Sequence, residues 1–121
     1  MKAFLLFLII PLFSFAAISE LDKIERLIVI VQNSNVTFIR NGQSYNSIEA
    51  AKHLRDKLDQ AANSWFAPKK SDWTAVMFIE KIASKSSISG QDYLIQLPNG
   101  TVVKSKNWLY EKLKIIETLP N

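Results

Sequence analysis

The chain contains no cysteine, a single histidine (His53) and only three glycines among its 121 residues. Each shortage excludes a class of chemistry. Without cysteine there are no disulfides, thiolate metal sites or thiol nucleophiles, and no lipid-bearing cysteine at a signal cleavage point. One imidazole would need three carboxylate co-ligands to hold zinc, an arrangement so uncommon that no metal and no cofactor are expected. Three glycines cannot supply a phosphate-binding loop or a dinucleotide fingerprint. Spaced acids around a glycine, as in a calcium loop, are also missing. Long apolar runs are absent except at the start of the chain.

That first run defines an export signal. Lys2 precedes an unbroken apolar stretch, Ala3 to Phe13, and Ser14-Phe15-Ala16 places small residues where a signal peptidase reads them. The expectation is a signal peptide over residues 1–16, cleaved after Ala16. A membrane-spanning helix needs about 20 apolar residues, whereas Glu20, Asp22 and Lys23 end this run sooner. The remaining residues, 17–121, are expected to form one compact domain in the periplasm or outside the cell. Lacking disulfides, it must be held by its core.

The full chain carries 15 Lys+Arg against 11 Asp+Glu, a net charge of +4 with a pI near 9.4. The basic residues are scattered, with short clusters only at Lys69-Lys70 and Lys104/Lys106. Such a balance suits solubility, or contact with an anionic envelope component. Tyr45, Trp73, Tyr93 and Trp108 would be the stacking platforms of a nucleic-acid surface. The basic residues form no stripe, however, and the leader directs the chain away from nucleic acid, so none is expected as a partner.

Periodicity divides the mature chain into elements. Ser19 precedes acids in a first turn, and Leu21, Ile24, Leu27, Ile28 and Val31 follow at helical spacing. Val36 to Tyr45 reads as a hairpin about Asn41-Gly42, a pair suited to a type I′ turn. Val36, Phe38 and Arg40 share one face of its first strand. Ser47 is expected to cap a second helix with an apolar stripe through Ile48, Ala51, Leu54 and Leu58. The segment "WFAPKKSDW" connects to a third helix, Thr74 to Ser84, with Val76, Ile79, Ile82 and Ala83 inward; aromatics at both ends of the connection are expected to dip into the core. "YLIQL" and "VVK" form a second hairpin about Asn99-Gly100, and Ser105 is expected to cap a last helix with Trp108, Leu109, Leu113 and Ile116 inward. The fold class is therefore α+β: two β-hairpins each flanked by helices (α-β-β-α twice), with a small antiparallel sheet against about four helices. Asn41-Gly42 with Ser47, and Asn99-Gly100 with Ser105, repeat at an offset of 58 residues. This is the pattern of a duplicated half-domain or of two common motifs that coincide.

The candidate polar cluster is Arg40, Glu49, His53, Arg55, Ser86, Ser87, Ser89, Gly90 and Tyr93. The residues alone favour a bracing role, with Arg40 paired to Glu49 or to helix carbonyls, and His53 or Arg55 tethering the hairpin to its helix. Ser87 or Ser89 with His53, and Glu49 one turn before it, compose a hydrolase triad on paper. No G-x-S-x-G pattern supports it. An exposed loop from Ser64 to Trp73 would instead suit an inhibitor of a secreted enzyme.

The segments "FIRNGQSY", "EAAKHLRDKL", "FIEKIASKSSISGQDYLI" and "NWLYEKL" resemble the YfeK-like group of small exported bacterial proteins, whose domain has no assigned function. The likeness runs from about Leu21 to Leu113 and departs between 59 and 75. It points to Arg40, Asn41, Gly42, Glu49, His53, Leu54, Arg55, Phe78, Ile79, Ser84, Ser86, Ser87, Ser89, Gly90, Tyr93 and Trp108. It implies one exported domain and residues 27–31 as helix, and it supplies no activity. The resulting expectation is a non-enzymatic binding or structural envelope protein whose partner is an envelope protein or an anionic envelope component.

Overall fold

A computed structural model describes residues 18–119, so the expected signal peptide and its cleavage after Ala16 lie outside the described residues. Chain order is α1 (Glu20–Asn33), β1 (Thr37–Arg40), β2 (Gln43–Tyr45), α2 (Ser47–Ala62), a 3-10 turn (Lys70–Asp72), α3 (Ala75–Lys81), β3 (Leu94–Gln96), β4 (Val102–Lys104) and α4 (Ser105–Thr118). This is the expected α-β-β-α order, twice. Ser19 accepts a hydrogen bond from the Asp22 amide and so caps α1. The β-branched run at 27–31 is helical because Leu27, Ile28 and Val31 fall on one buried stripe with Ile24.

The hairpins merge into one antiparallel sheet of order β2-β1-β3-β4. Its centre is the β1–β3 pair, with Phe38 opposite Ile95. Both side chains are buried on the helix-covered face. Thr37, Ile39, Leu94 and Gln96 occupy the other face and are partly exposed, as expected of an antiparallel sheet covered on one side. Helix α1 packs against all three other helices. One core joins Leu27, Val31, Leu54, Phe78, Ile79, Leu109 and Ile116 to the sheet; burying each such side chain contributes about 1.5–3 kcal/mol.

Several local expectations are corrected. Asn46, not Ser47, caps α2: its side chain accepts from the Glu49 amide, and the Glu49 carboxylate returns to the Asn46 amide. Ser47 is thereby free to turn inward, where its hydroxyl bonds both the amide and the carbonyl of Val36, each at 3.0 Å. Ser105 likewise lies one residue inside α4; Lys104 is the capping position and makes no side-chain cap. With the helix starts shifted, Ala50 and Ala75 face the core, while Ile48 and Val76 are exposed. Helix α3 ends at Lys81, short of Ser84. In the connection, Trp73 is buried, but Trp65 and Phe66 are 92% and 94% exposed.

The two Asn-Gly pairs also differ. Asn41 and Gly42 both have positive φ, 50° and 76°, as a type I′ turn requires. In the second hairpin only Gly100 does, at 90°, because Pro98 sets a turn closed by the Gly100 amide on the Leu97 carbonyl at 2.9 Å.

Candidate functional site

Strand β1 ends with Arg40 two residues beyond buried Phe38, on the same face, so its side chain leaves the sheet at the edge of the core. Helix α2 passes this point with His53 and Lys57 one turn apart on one side. Arg40 Nη1 approaches His53 Nδ1 at 3.4 Å. Tyr93, which precedes β3, forms the floor: its ring lies 5.1 Å from that of Phe38 and 6.4 Å from that of His53. Lys57 Nζ sits 4.9 Å over the Tyr93 ring and donates to the Tyr93 hydroxyl at 3.1 Å and the Lys85 carbonyl at 3.0 Å.

These groups border a hollow of about 340 Å³ with Asp56, Gln60, Ser86, Ser87 and Ile88. None of the ion pairs among the described residues involves Arg40, His53 or Lys57. Asp56, at the rim, is held by Lys52 at 2.7 Å. Arg40 Nε and His53 Nε2 are both buried without a protein partner. Because an arginine can only donate, His53 Nδ1 accepts, which places the ring proton on Nε2.

The electrostatics follow from this crowding. Burial, then the Arg40 and Lys57 charges, push the His53 pKa below its ordinary value, against a smaller opposing effect of Asp56. Burial and then Arg40 bring Lys57 down to about 8. Burial raises Tyr93, and Arg40 opposes that rise. Cationic groups thus face one another with no carboxylate bound among them.

Of the nine residues read from the sequence, Arg40, His53, Ser86, Ser87 and Tyr93 border this hollow. Glu49 does not meet Arg40; it closes the Asn46 capping box. Arg55 lies two residues, about 200°, around the helix from His53 and pairs with Glu25 of α1 at 2.5 Å. It braces helix to helix, and His53 is the residue that meets the hairpin. Ser86 accepts from the Ile88 and Ser89 amides and from the Asn41 side chain. Ser89 donates to Asn41 Oδ1. These two serines therefore tie the hairpin tip to the 85–92 turn, where Gly90 has φ 72°. Of the two serines composed with His53 from the sequence, Ser89 is engaged with Asn41 and Ser87 borders the hollow beside His53; neither is hydrogen-bonded to the imidazole.

Sequence reading missed Lys57, although its spacing of four from His53 on an expected helix was the available signal. Of the four aromatics read as stacking platforms, Trp73, Tyr93 and Trp108 are buried and Tyr45 is half-buried. Lys70, Lys104 and Lys106 are each paired, with Asp59, Asp92 and Glu80. Among the described residues no three histidine, aspartate or glutamate side chains gather where they could hold a metal ion.

A family model described as a family of unknown function (DUF5329) matches residues 19–117. An uncharacterised protein, YfeK of Salmonella typhimurium, is 44% identical over 64 residues, covering 53% of this chain and 48% of that protein. The match thus spans about half the length of that relative. No solved structure matches.

Proposed function

Because the chain belongs to the DUF5329 family, whose description carries no activity, we propose its role from its own chemistry: an exported, non-enzymatic binding domain whose hollow receives an anionic group. The observation that carries this reading is the convergence of Arg40, His53 and Lys57 without an ion-paired carboxylate, two of their nitrogens being buried and unpartnered. Buried donors are normally satisfied, and an unsatisfied one costs about 1–3 kcal/mol. A carboxylate, sulfate or phosphate oxygen would accept from all three side chains and relieve their mutual repulsion. The leader supports an envelope location, where an envelope protein or an anionic envelope component supplies such a group.

Titration calorimetry of the mature domain with acetate, sulfate and inorganic phosphate tests the reading. Saturable binding that Lys57→Met and Arg40→Gln each weaken at least about tenfold, the worth of one charge-assisted hydrogen bond, is expected. Equal heats in wild type and both variants would refute it. Fractionation of the source cell with mass determination tests export, and a chain starting at Ala17 is expected.

A second reading rests on Trp65 and Phe66, whose near-complete exposure suits insertion into the cleft of a secreted enzyme. Loss of inhibition in Trp65→Ala/Phe66→Ala, with anion binding retained, would favour it. For the hydrolase alternative, Ser89 is engaged with Asn41, and Ser87 borders the hollow beside His53 without a hydrogen bond to the imidazole.

A further inference from the structure

The cationic hollow does not end at its own rim. A second, larger groove of about 520 Å³ runs between the end of α2 and the 64–73 connection and shares Lys57, Gln60 and Ser87 with the first. Its walls are chiefly apolar: Ala61, Phe66, Ala67, Pro68, Trp73 and Ile82. The Trp73 indole nitrogen donates to the Pro68 carbonyl at 3.1 Å, which satisfies its polar edge within the wall. The three most exposed large apolar side chains among the described residues are Trp65, Phe66 and Ile88, at 92%, 94% and 90%. Phe66 lines the groove, Ile88 lines the cationic hollow, and Trp65 adjoins Phe66 in sequence. Water-exposed apolar groups on the borders of two adjoining hollows mark a surface that acquires cover.

Resting on the anion-binding reading, we propose that hollow and groove form one continuous site for a long-chain anionic amphiphile, its head group on Arg40 and Lys57 and its acyl chain along Ala61, Phe66 and Trp73. Charge complementarity selects the head, since Arg40, His53 and Lys57 meet there and the bordering carboxylate, Asp56, is held by Lys52. The chain is selected because the wall beyond Lys57 is chiefly apolar, with Lys81 the one further cation bordering it. A free fatty acid and the anionic lipid of a bilayer share this chemistry, and the test separates the two sources.

Calorimetric titration compares dodecanoate, kept monomeric, with acetate and with dodecanol, while tryptophan emission in a Trp108→Phe background reports on Trp65 and Trp73. Phosphatidylglycerol vesicles, with phosphatidylcholine vesicles as control, form the membrane arm. Dodecanoate is expected to bind at least about a hundredfold more tightly than acetate, since a few buried methylenes suffice for that gain. It should also bind at least about tenfold more tightly than dodecanol, a preference that Arg40→Gln abolishes. Phe66→Ala, at a position whose side chain is almost wholly exposed, should lose about tenfold of the chain-length gain with unfolding temperature unchanged. Equal affinity for acetate and dodecanoate would overturn the groove while leaving the anion-binding hollow intact. Failure of acetate, sulfate, phosphate and dodecanoate alike would overturn both. Vesicle binding without monomer binding would overturn the groove in favour of a membrane-surface contact, and tighter binding of an apolar peptide with a free C-terminal carboxylate would overturn the acyl-chain assignment.

Discussion

A site that holds cations together without counter-charges lowers the stability of its empty state, and Arg40 is the place to measure this. Arg40→Met keeps much of the aliphatic length that follows Phe38 along the β1 face and removes the guanidinium. Three contributions change. The buried, unpartnered Nε disappears, a gain of about 1–3 kcal/mol. A long 3.4 Å contact with His53 Nδ1 is lost, costing about 1 kcal/mol. Repulsion of Lys57, one cause of that amine's lowered pKa, is relieved. The sum favours the variant by about 1 kcal/mol, and 1 kcal/mol raises Tm by about 4–8 °C in a domain of this size. Calorimetric or dichroism melts at pH 7, in a buffer free of sulfate, phosphate and long-chain carboxylates, provide the assay. If Arg40→Met instead melts several degrees below wild type, Arg40 is a brace, and the reasoning from unpaired charge fails.

Because the folded pKa of Lys57, about 8, lies below its unfolded value near 10.5, the unfolded chain binds more protons between those values. Stability should therefore rise with pH from about 8 to 10 in denaturant titrations, and Lys57→Met should flatten the rise; above pH 10 the raised Tyr93 and Tyr110 act in the opposite sense. Neutralising Lys57 should also weaken acetate binding up to about tenfold between pH 7 and pH 9, read by calorimetry. Ser47→Ala removes a hydroxyl that satisfies both polar groups of Val36 and should cost about 2 kcal/mol, whereas Ser105→Ala removes a buried hydroxyl without a partner and should be neutral or slightly stabilising; paired urea melts read the contrast. Phe38→Ala, at the centre of the sheet, should cost about 3–5 kcal/mol in the same melts.

The element order was legible because each half of the chain carries period-2 strands, an Asn-Gly turn and a 3.6-period helix in sequence. Helix register was less legible. Asn46 and Ser47 are both good capping residues, and only the reciprocal bond with Glu49 decides between them; a one-residue shift then exchanges Ile48 for Ala50 on the buried face. The paths of Trp65 and Phe66 were not legible at all, since apolar side chains are ordinarily read as core and their exposure here has a cause outside local sequence. At the site, Arg40 and His53 stood out by residue type. Their meeting is a tertiary consequence of β1 ending beside the second turn of α2. Lys57 was obscured because a lysine on a helix is ordinarily solvated, and only Tyr93, arriving from the second half of the chain, covers it.

The same offset of 58 residues that relates the hairpins also relates Ser47 to Ser105, yet their environments differ. Ser47 stitches α2 to the strand before it, while the Ser105 hydroxyl finds no partner. The central β1–β3 pair places the two halves antiparallel, with β2 and β4 outside them. The cationic site breaks this symmetry. Arg40, His53 and Lys57 come from the first half, and the second half supplies Tyr93 and the serine turn.

His53 is the chain's single histidine, so its imidazole Hε1 resonance is assignable without ambiguity and reports the charge of the site directly. Following that resonance through pH, with and without saturating dodecanoate, should give a pKa below the ordinary value for the free domain and a higher one when the anion is bound, because a nearby negative charge favours the imidazolium. A pKa that is the same in both titrations would contradict the anion site on which the account rests.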